Sequence, residues 1–393
     1  MSADKMGMVI RDPWYEFGTS PGHPNEPNIA FQERMGAILE DLGVRWVRLE
    51  FHIAGDDVEA SVARCDHFIN VVAPRHHLMI LGLLSFGIMR DYPPDTSSDP
   101  RSLTSPIPDN QAHPYGSGVN EYMRKWLDRA RFIADRYAGN VHAYEILNEQ
   151  NRMPPSGTAI PAVLVARLHT KFYRLFRQVD RQALGDQSWR DAIQIILGGL
   201  HPKGTGEPEN ATYTTDLEYL YQIYASDGFN GYRGTYGRFP VDGIAYHPYP
   251  EEVRLSLRRY PRGSDAAWEA TMLNYRLDEL RQVLRNVGQP DVPFWITEVG
   301  YNIAYGNHTA HGQALFMDAV QRMLITRLDV AVSFWFKYED FPPAEGPNAQ
   351  QWGVVHIPFS AGPWPGGALY DPTGTPQYLR AAYHVFRALA EKA

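Results

Sequence analysis

Eight short apolar or β-branched runs, each followed by a stretch of helical period, constrain this chain more than any other feature. The runs are 7–11, 44–50, 78–84, 141–147, 193–199, 241–247, 293–299 and 329–336. Each has the length and character of a strand buried on both faces, as in a parallel sheet. Helical patterns occupy 29–42, 56–73, 120–138, 161–180, 214–224, 265–287, 310–326 and 375–392. In 29–42, for example, Phe31, Met35, Ile38, Leu39 and Leu42 fall on one stripe. Gly43, Gly139 and Gly288 stand where a helix hands over to a strand, and glycine suits the left-handed position after a helix.

Eight β-then-α units predict an α/β fold, a closed (β/α)8 TIM barrel over 1–393 as a single domain. An open doubly wound sheet also alternates β and α, but a count of eight ending on a helix favours closure. Such a barrel needs ~250 residues, so a chain of 393 leaves much for long loops after the strands. The surplus of aromatic residues, 23 Tyr, 17 Phe and 9 Trp, falls heavily in aperiodic segments such as 87–118, 225–240 and 340–374. These rings either pack the loops or line a binding cleft, and the long segments after strands 3, 6 and 8 are expected to form the cleft walls.

Charge and motif content exclude several classes. Lys and Arg total 37 against 45 Asp and Glu, a net charge of −8. That disfavours nucleic acid or an anionic membrane as partner, since both require basic surface. No apolar run approaches the ~18–20 residues that span a bilayer, and residues 1–12 lack a signal-peptide core. The expectation is a soluble chain, either cytoplasmic or secreted after loss of a leader. Cys65 is the one cysteine, which excludes an intramolecular disulfide and a multi-cysteine zinc site. There is no His-Glu-x-x-His, no Walker A and no Gly-x-Ser-x-Gly, and Gly198-Gly199 lacks dinucleotide-loop spacing. Neither metal nor cofactor is expected. Oligomeric state is left open.

Barrel chemistry sits at the C-terminal ends of the strands. Strand 2 ends in Arg48-Leu49-Glu50, strand 4 in Asn148-Glu149, strand 6 in His247-Pro248-Tyr249 and strand 7 in Glu298. Strand 8 ends at Trp335, with Lys337 beyond it. Two carboxylates on one rim are equipment for glycoside hydrolysis: one donates a proton to the leaving oxygen while the other attacks. A shared pocket would split their pKa values, because one ionised acid raises its neighbour. Arg48 and Tyr249 are donors suited to keeping one carboxylate ionised, and the Trp335 indole offers a surface for a sugar ring. Glu145, two residues before Leu147, is read as structural, and either Glu50 or Glu145 is an alternative, structural ion-pair partner for Arg48.

At these residues the sequence resembles clan A glycoside hydrolases, families 5 and 39 in particular. The motifs are Tyr144-Glu145-Ile146-Leu147-Asn148-Glu149-Gln150-Asn151 and Trp295-Ile296-Thr297-Glu298-Val299-Gly300-Tyr301, with Arg48, His247, Tyr249 and Trp335 in the matching strands. The resemblance implies a retaining β-glycosidase that cleaves β-linked oligo- or polysaccharide. In that scheme Glu149 is the acid/base and Glu298 the nucleophile. Asn148 binds the sugar 2-hydroxyl, Arg48 and Tyr249 hold Glu298, Trp335 floors the subsite and His247 lines it. Retention implies carboxyls ~5–5.5 Å apart. Two departures stand out: Gln150 replaces the common proline after the acid, and Leu84-Ser85-Phe86-Gly87 lacks the histidine family 5 often has.

Two other readings are weighed. A catalytically idle glycan-binding barrel would lose one acid, and this chain keeps both. A lyase or aldolase would want a Schiff-base lysine or a metal, and Lys337 is the only lysine near a strand end. Arg254, Arg258, Arg259 and Arg262 suggest contact with an acidic sugar, or simply a solvated helix start. Trp352, His356, Phe359 and Trp364 are candidate platforms for further sugar units. The sugar, the linkage and endo or exo action are not written in the sequence.

Overall fold

The computed structural model describes residues 3–10, 19–20, 23–53, 55, 57–92, 101–107, 115–152, 157, 159–177, 192–202, 215–250, 253, 266–342, 350–361 and 368–392. Eight parallel strands close into a barrel: β1 (Met6–Val9), β2 (Trp46–Glu50), β3 (Met79–Leu84), β4 (Ala143–Asn148), β5 (Gln194–Leu200), β6 (Gly243–Tyr246), β7 (Phe294–Gly300) and β8 (Val330–Phe336). Each pairs with its sequence neighbours, and β8 closes on β1 with Met8 opposite Trp335. The helices are α1 (Ile29–Asp41), α2 (Val58–Ala63), α3 (Glu121–Arg136), α4 (Ala162–Arg177), α5 (Asp216–Ala225), α6 (Asp227–Tyr236), α7 (Ala266–Asn286), α8 (Ala310–Thr326) and α9 (Ala381–Lys392). At least one follows every strand, as the alternation requires. Among the described residues no helix is long and apolar enough to cross a membrane.

Local chemistry explains most boundaries. Asn28, Asp57, Asn120, Thr215, Ser226 and Thr309 cap helices by accepting a hydrogen bond from a backbone N–H of the first turn. Gly43, Gly139 and Gly288 have φ of 74°, 84° and 79°, the left-handed exits expected for them. Two expectations are corrected. The pattern over 56–73 is not one helix: α2 stops at Ala63, and a wider turn over Phe68–Val72 leads into Ala73–Arg75. Pro74 lies in that final turn, where it has no N–H to continue a regular ladder. Segment 225–240 is not aperiodic but carries α6, whose Gly228, Gly231 and Gly234 mask a helical signal.

Two apolar layers result from the strand period of two. One set of side chains faces the helices and forms the main core, including Val47, Leu49, Ile146, Ile296 and Trp335. The other fills the barrel: Val9, Trp46, Leu81, Ala143, Ile196, Ala245, Trp295, Val332 and Phe334. Trp46 and Trp295 meet edge to face inside it, centroids 5.1 Å apart. These bulky rings plug the barrel, so polar residues nearer the strand C-termini stand on a solid floor.

The segment after β8 is held by one buried carboxylate. Asp340 accepts from Arg380 Nη1 at 2.7 Å and Nη2 at 2.6 Å, from Gly353 N at 3.0 Å, and faces His356 Nδ1 at 3.0 Å. Asp340 and Arg380 are both buried. This fork ties the β8 loop to the start of α9. Removing one partner strands the other charge, so Asp340→Ala is expected to cost ~3–5 kcal/mol. Urea unfolding monitored by circular dichroism measures it, and a loss under 1 kcal/mol would contradict this role.

Candidate active site

Arg48 rises from β2 into the mouth of the barrel and is only 3% exposed. Its Nε donates to Glu145 Oε2 at 2.6 Å, Nη1 to Glu298 Oε1 at 2.7 Å and Nη2 to Asn148 Oδ1 at 2.8 Å. The guanidinium thus spans β4 and β7. Burial opposes its charge, but Glu145 and Glu298 raise its pKa further above the usual arginine value. Asn148 gives its oxygen to Arg48, which leaves its NH2 group to face a ligand.

Two departures from strand regularity aim the acids. On β7, Ile296 pairs with Ser333 but Val299 pairs with Trp335, so β7 carries one extra residue there. The extra residue turns both Thr297 and Glu298 toward the mouth, where strict alternation would bring only one. On β4, Leu147 (φ 69°) and Glu149 (φ 45°) occupy the left-handed region, which shifts the strand phase so that Asn148 meets Arg48. Strained backbone of this kind needs support from its surroundings. Gly198 and Gly199 on β5 supply room: a Cβ at Gly198 would lie 2.2 Å from Leu147 O, and one at Gly199 would lie 2.0 Å from His247 Nε2. The Gly-Gly pair that failed as a nucleotide loop is therefore the space into which β4 and His247 fit.

Glu298 is held at both oxygens, by Arg48 at Oε1 and by the Tyr249 hydroxyl, which donates to Oε2 at 2.6 Å. Burial and the Glu298 carboxylate push the Tyr249 phenol well above its usual pKa, so it stays a donor. Glu149 receives Arg152 Nη1 on Oε2 at 2.7 Å and faces His247 Nδ1 through Oε1 at 3.1 Å. One oxygen from each of Glu149 and Glu298 lies with His247 Nδ1 inside a 4.8 Å span.

His247 is a cation by geometry. The Thr297 hydroxyl donates to Glu145 Oε1 at 3.1 Å, so it accepts from His247 Nε2 at 2.9 Å. Nδ1 faces Glu149 at 3.1 Å and Glu298 at 3.7 Å, both acceptors, so it too carries a proton. Burial opposes the charge, but Glu298, Glu145 and Glu149 outweigh it and raise the pKa to about 9. The same contacts hold Glu145 down to about 2, where burial is overcome by Arg48 and His247. Glu149 is likewise lowered to about 2, where burial is overcome by His247, His201 and Arg152. Glu149 is therefore not raised by a neighbouring acid, as a shared pocket suggests: neighbouring cations lower it. Among the described residues, Glu149, His247 and Glu298 are the one cluster with metal-ligand types. A doubly protonated imidazole at its centre is a competitor of a metal ion there.

The structure brings Arg48, Asn148, Glu149, Tyr249, Glu298 and His247 together. Two expectations change. His247 is fully buried beneath the acids, so it positions them and does not line a subsite. Trp335 is 0% exposed and points outward to Phe316 of α8, centroids 6.0 Å apart, so it cannot floor a subsite. Val332, Phe334 and Phe336 are the inward residues of β8. Phe336 and Trp352 meet edge to face at 5.4 Å, and each meets Tyr249, at 6.1 and 5.4 Å. These half-buried rings stand beside Glu298, where Trp335 was expected. Sequence reading missed Phe336 because it followed the indole and not the alternation. It also missed Arg152 and Thr297. His52 faces Glu50 at 3.3 Å. Lys337 is fully buried with Glu339 at 3.0 Å, and so is unsuited to meeting a substrate carbonyl. Arg254, Arg258, Arg259, Arg262 and Trp364 lie outside the described residues.

No protein-family model matches the chain, and no curated protein matches it in sequence. Solved structures do match in shape. An endo-laminarinase from Formosa superposes with a TM-score of 0.56 at 13% identity, covering 90% of this chain and 84% of that enzyme. A family 39 glycoside hydrolase from Xanthomonas axonopodis pv. citri gives 0.55 at 12%, covering 98% and 65%. One from Bacteroides cellulosilyticus gives 0.53 at 12%, covering 98% of this chain but only 63% of that enzyme. At these identities the likeness establishes the fold, an eight-stranded barrel of the kind clan A glycoside hydrolases use, and it fits the resemblance to family 39.

The His247 cation can be read directly. Its folded pKa lies above the ordinary value of 6.5. The stabilisation it contributes is therefore complete below pH ~6.5 and is lost as pH rises through about 9. Imidazole NMR shifts of His247 should titrate near 9, and the stability gap to His247→Asn should shrink over that window. A midpoint near 6.5 would contradict the assignment.

Proposed function

We propose that this protein is a retaining β-glycoside hydrolase acting through a covalent glycosyl-enzyme. The observation that carries the reading is the close pair of carboxyls with unlike environments. Glu298 accepts from Arg48 at one oxygen and from Tyr249 at the other, which fixes it beside a solid floor. Glu149 stands opposite, its oxygen and that of Glu298 both within the 4.8 Å span shared with His247. Such closeness leaves no room for a water between the acids and favours direct attack over inversion.

In the first step a Glu298 oxygen attacks the anomeric carbon, forming an ester as the glycosidic C–O bond breaks. Glu149 gives a proton to the departing oxygen. In the second step Glu149 takes a proton from water, which attacks the same carbon and releases Glu298. Asn148 is the donor for the 2-hydroxyl, where a hydrogen bond strengthens as the transition state forms. Phe336 and Trp352 serve as the apolar platform for the ring.

The free protein has Glu149 ionised, so the proton for the first step must be held nearby. His247 Nδ1 carries one, 3.1 Å from Glu149 Oε1. The coupled set of Glu149 and His247 thus stores a single proton that either member can hold. As the Glu298 charge is consumed by ester formation, His247 loses one of the anions that kept it protonated, and the proton is released toward Glu149. Substrate is a β-linked carbohydrate.

A screen of aryl β-glycosides with wild type, Glu149→Ala and Glu298→Ala tests the roles. Loss of the nucleophile should reduce kcat by ~10⁴-fold or more. Azide should restore turnover of an activated aryl glycoside in Glu149→Ala and yield a β-azide. Wild-type rates in either variant, or an α-azide, would sink the assignment.

A further inference from the structure

Arg152 belongs to neither of the strand motifs, yet its mount is built with care. Its backbone N–H donates to Glu149 O at 2.8 Å, and its carbonyl accepts from Ala159 N at 2.8 Å. A Cβ at Gly157 would lie 2.2 Å from Arg152 O, so the chain folds back over it only with glycine there. Just before it in the chain, Asn151 pairs through its side chain with both the N–H and the carbonyl of His201, at 2.9 and 2.8 Å. Gln150 Nε2 donates to Gly198 O at 3.0 Å, and its own carbonyl accepts from Ile160 N at 2.8 Å. Among the described residues the backbone from Glu149 to Arg152 is thus tied to Gly198, His201, Ala159 and Ile160, while a third of the Arg152 side chain (34%) remains exposed.

Its direction is equally defined. Arg152 takes Glu149 Oε2, the oxygen that His247 and Glu298 do not share. It therefore flanks Glu149 on the side away from the nucleophile, where the departing half of a substrate lies. The charges of the site are already balanced. Glu145, Glu149 and Glu298 face Arg48, His247 and Arg152. An arriving anion that engages Arg152 leaves Glu149 with His247 on Oε1 and His201 nearby.

We propose that Arg152 is a specificity-determining residue that binds a carboxylate on the leaving-group side of the substrate, such as that of an acidic sugar, and frees Glu149 to act as proton donor. The inference rests on the two-carboxylate reading above. A partly exposed guanidinium on a tied backbone can exchange a present partner for an incoming carboxylate. Re-pairing removes a cation from Glu149 Oε2, and with it part of the stabilisation of the ionised acid. Substrate charge then selects for turnover as well as for binding. An Arg152 that only braces Glu149 would lower activity on every substrate alike.

The test compares 4-nitrophenyl and 3-carboxy-4-nitrophenyl β-glycosides of the same sugar. The ratio of kcat/KM, carboxylated over neutral, should fall by ~10-fold or more in Arg152→Gln, the loss of one charge-assisted contact, and recover in part in Arg152→Lys. The basic limb of kcat/KM on the neutral substrate should move to higher pH in Arg152→Gln. An unchanged ratio in Arg152→Gln overturns the proposal. Calorimetric titration with galacturonate and galactose reads the residue without turnover. Wild type should prefer the acid and Arg152→Gln should not, whereas equal binding of both sugars by wild type overturns the proposal. A protein that hydrolyses no glycoside yet keeps this preference would refute the hydrolase reading and retain the anion site.

Discussion

One guanidinium, that of Arg48, makes the mouth of this barrel possible. Three carboxylates, Glu145, Glu149 and Glu298, sit within a few ångströms of each other in a largely water-free setting. Buried anions without partners are costly, and like charges would force protons onto them. Arg48 binds Glu145 and Glu298 at once and reaches Asn148 with its remaining nitrogen. The His247 cation completes the set from β6 by facing the same three carboxylates. The ionisation of each group is thus a property of the network: removing one cation alters the proton affinity of every acid around it.

The rest of the fold serves that network. The Trp46–Trp295 pair closes the barrel below it, so polar side chains above are not hydrated from beneath. The bulge on β7 turns two successive residues inward, Thr297 to orient His247 and Glu298 to meet Arg48 and Tyr249. The left-handed turn at Leu147 does the equivalent on β4. Gly198 and Gly199 have a plain physical reason, since any larger residue would collide with the β4 backbone or with His247. Irregular backbone is concentrated at this rim, where the stiffness of the barrel can sustain it.

Much of this was legible in the sequence because barrel strands are buried on both faces and read as apolar runs that stop at polar residues. The eight strands, the three helix-ending glycines and the meeting of Arg48, Asn148, Glu149, Tyr249 and Glu298 all follow from that pattern. What the pattern does not carry is the phase of a side chain near an irregularity. Trp335 and Phe336 are adjacent, and only the strand period decides which one faces the mouth; it is Phe336. His247 sits one place past the end of β6, and only the clearance at Gly199 shows that it lies under the acids. Arg152 was invisible for another reason. It lies in a loop whose course depends on left-handed residues at Glu149 and Ala159, which no local rule assigns to Glu or Ala. The pKa of Glu149 likewise depends on cations brought from three to about a hundred residues away in the chain, so spacing alone did not show that it is lowered.

The central claim is that Glu298 becomes bonded to the sugar. A 2-deoxy-2-fluoro β-glycoside with a dinitrophenolate leaving group tests it most directly. The fluorine slows both steps, while the good leaving group restores the first, so a glycosyl-enzyme accumulates. Mass spectrometry of the proteolysed adduct should place one fluorosugar on Glu298. A label on Glu149 or on any other residue, or an inverted first-formed anomer of the natural product with no label at all, would contradict the account.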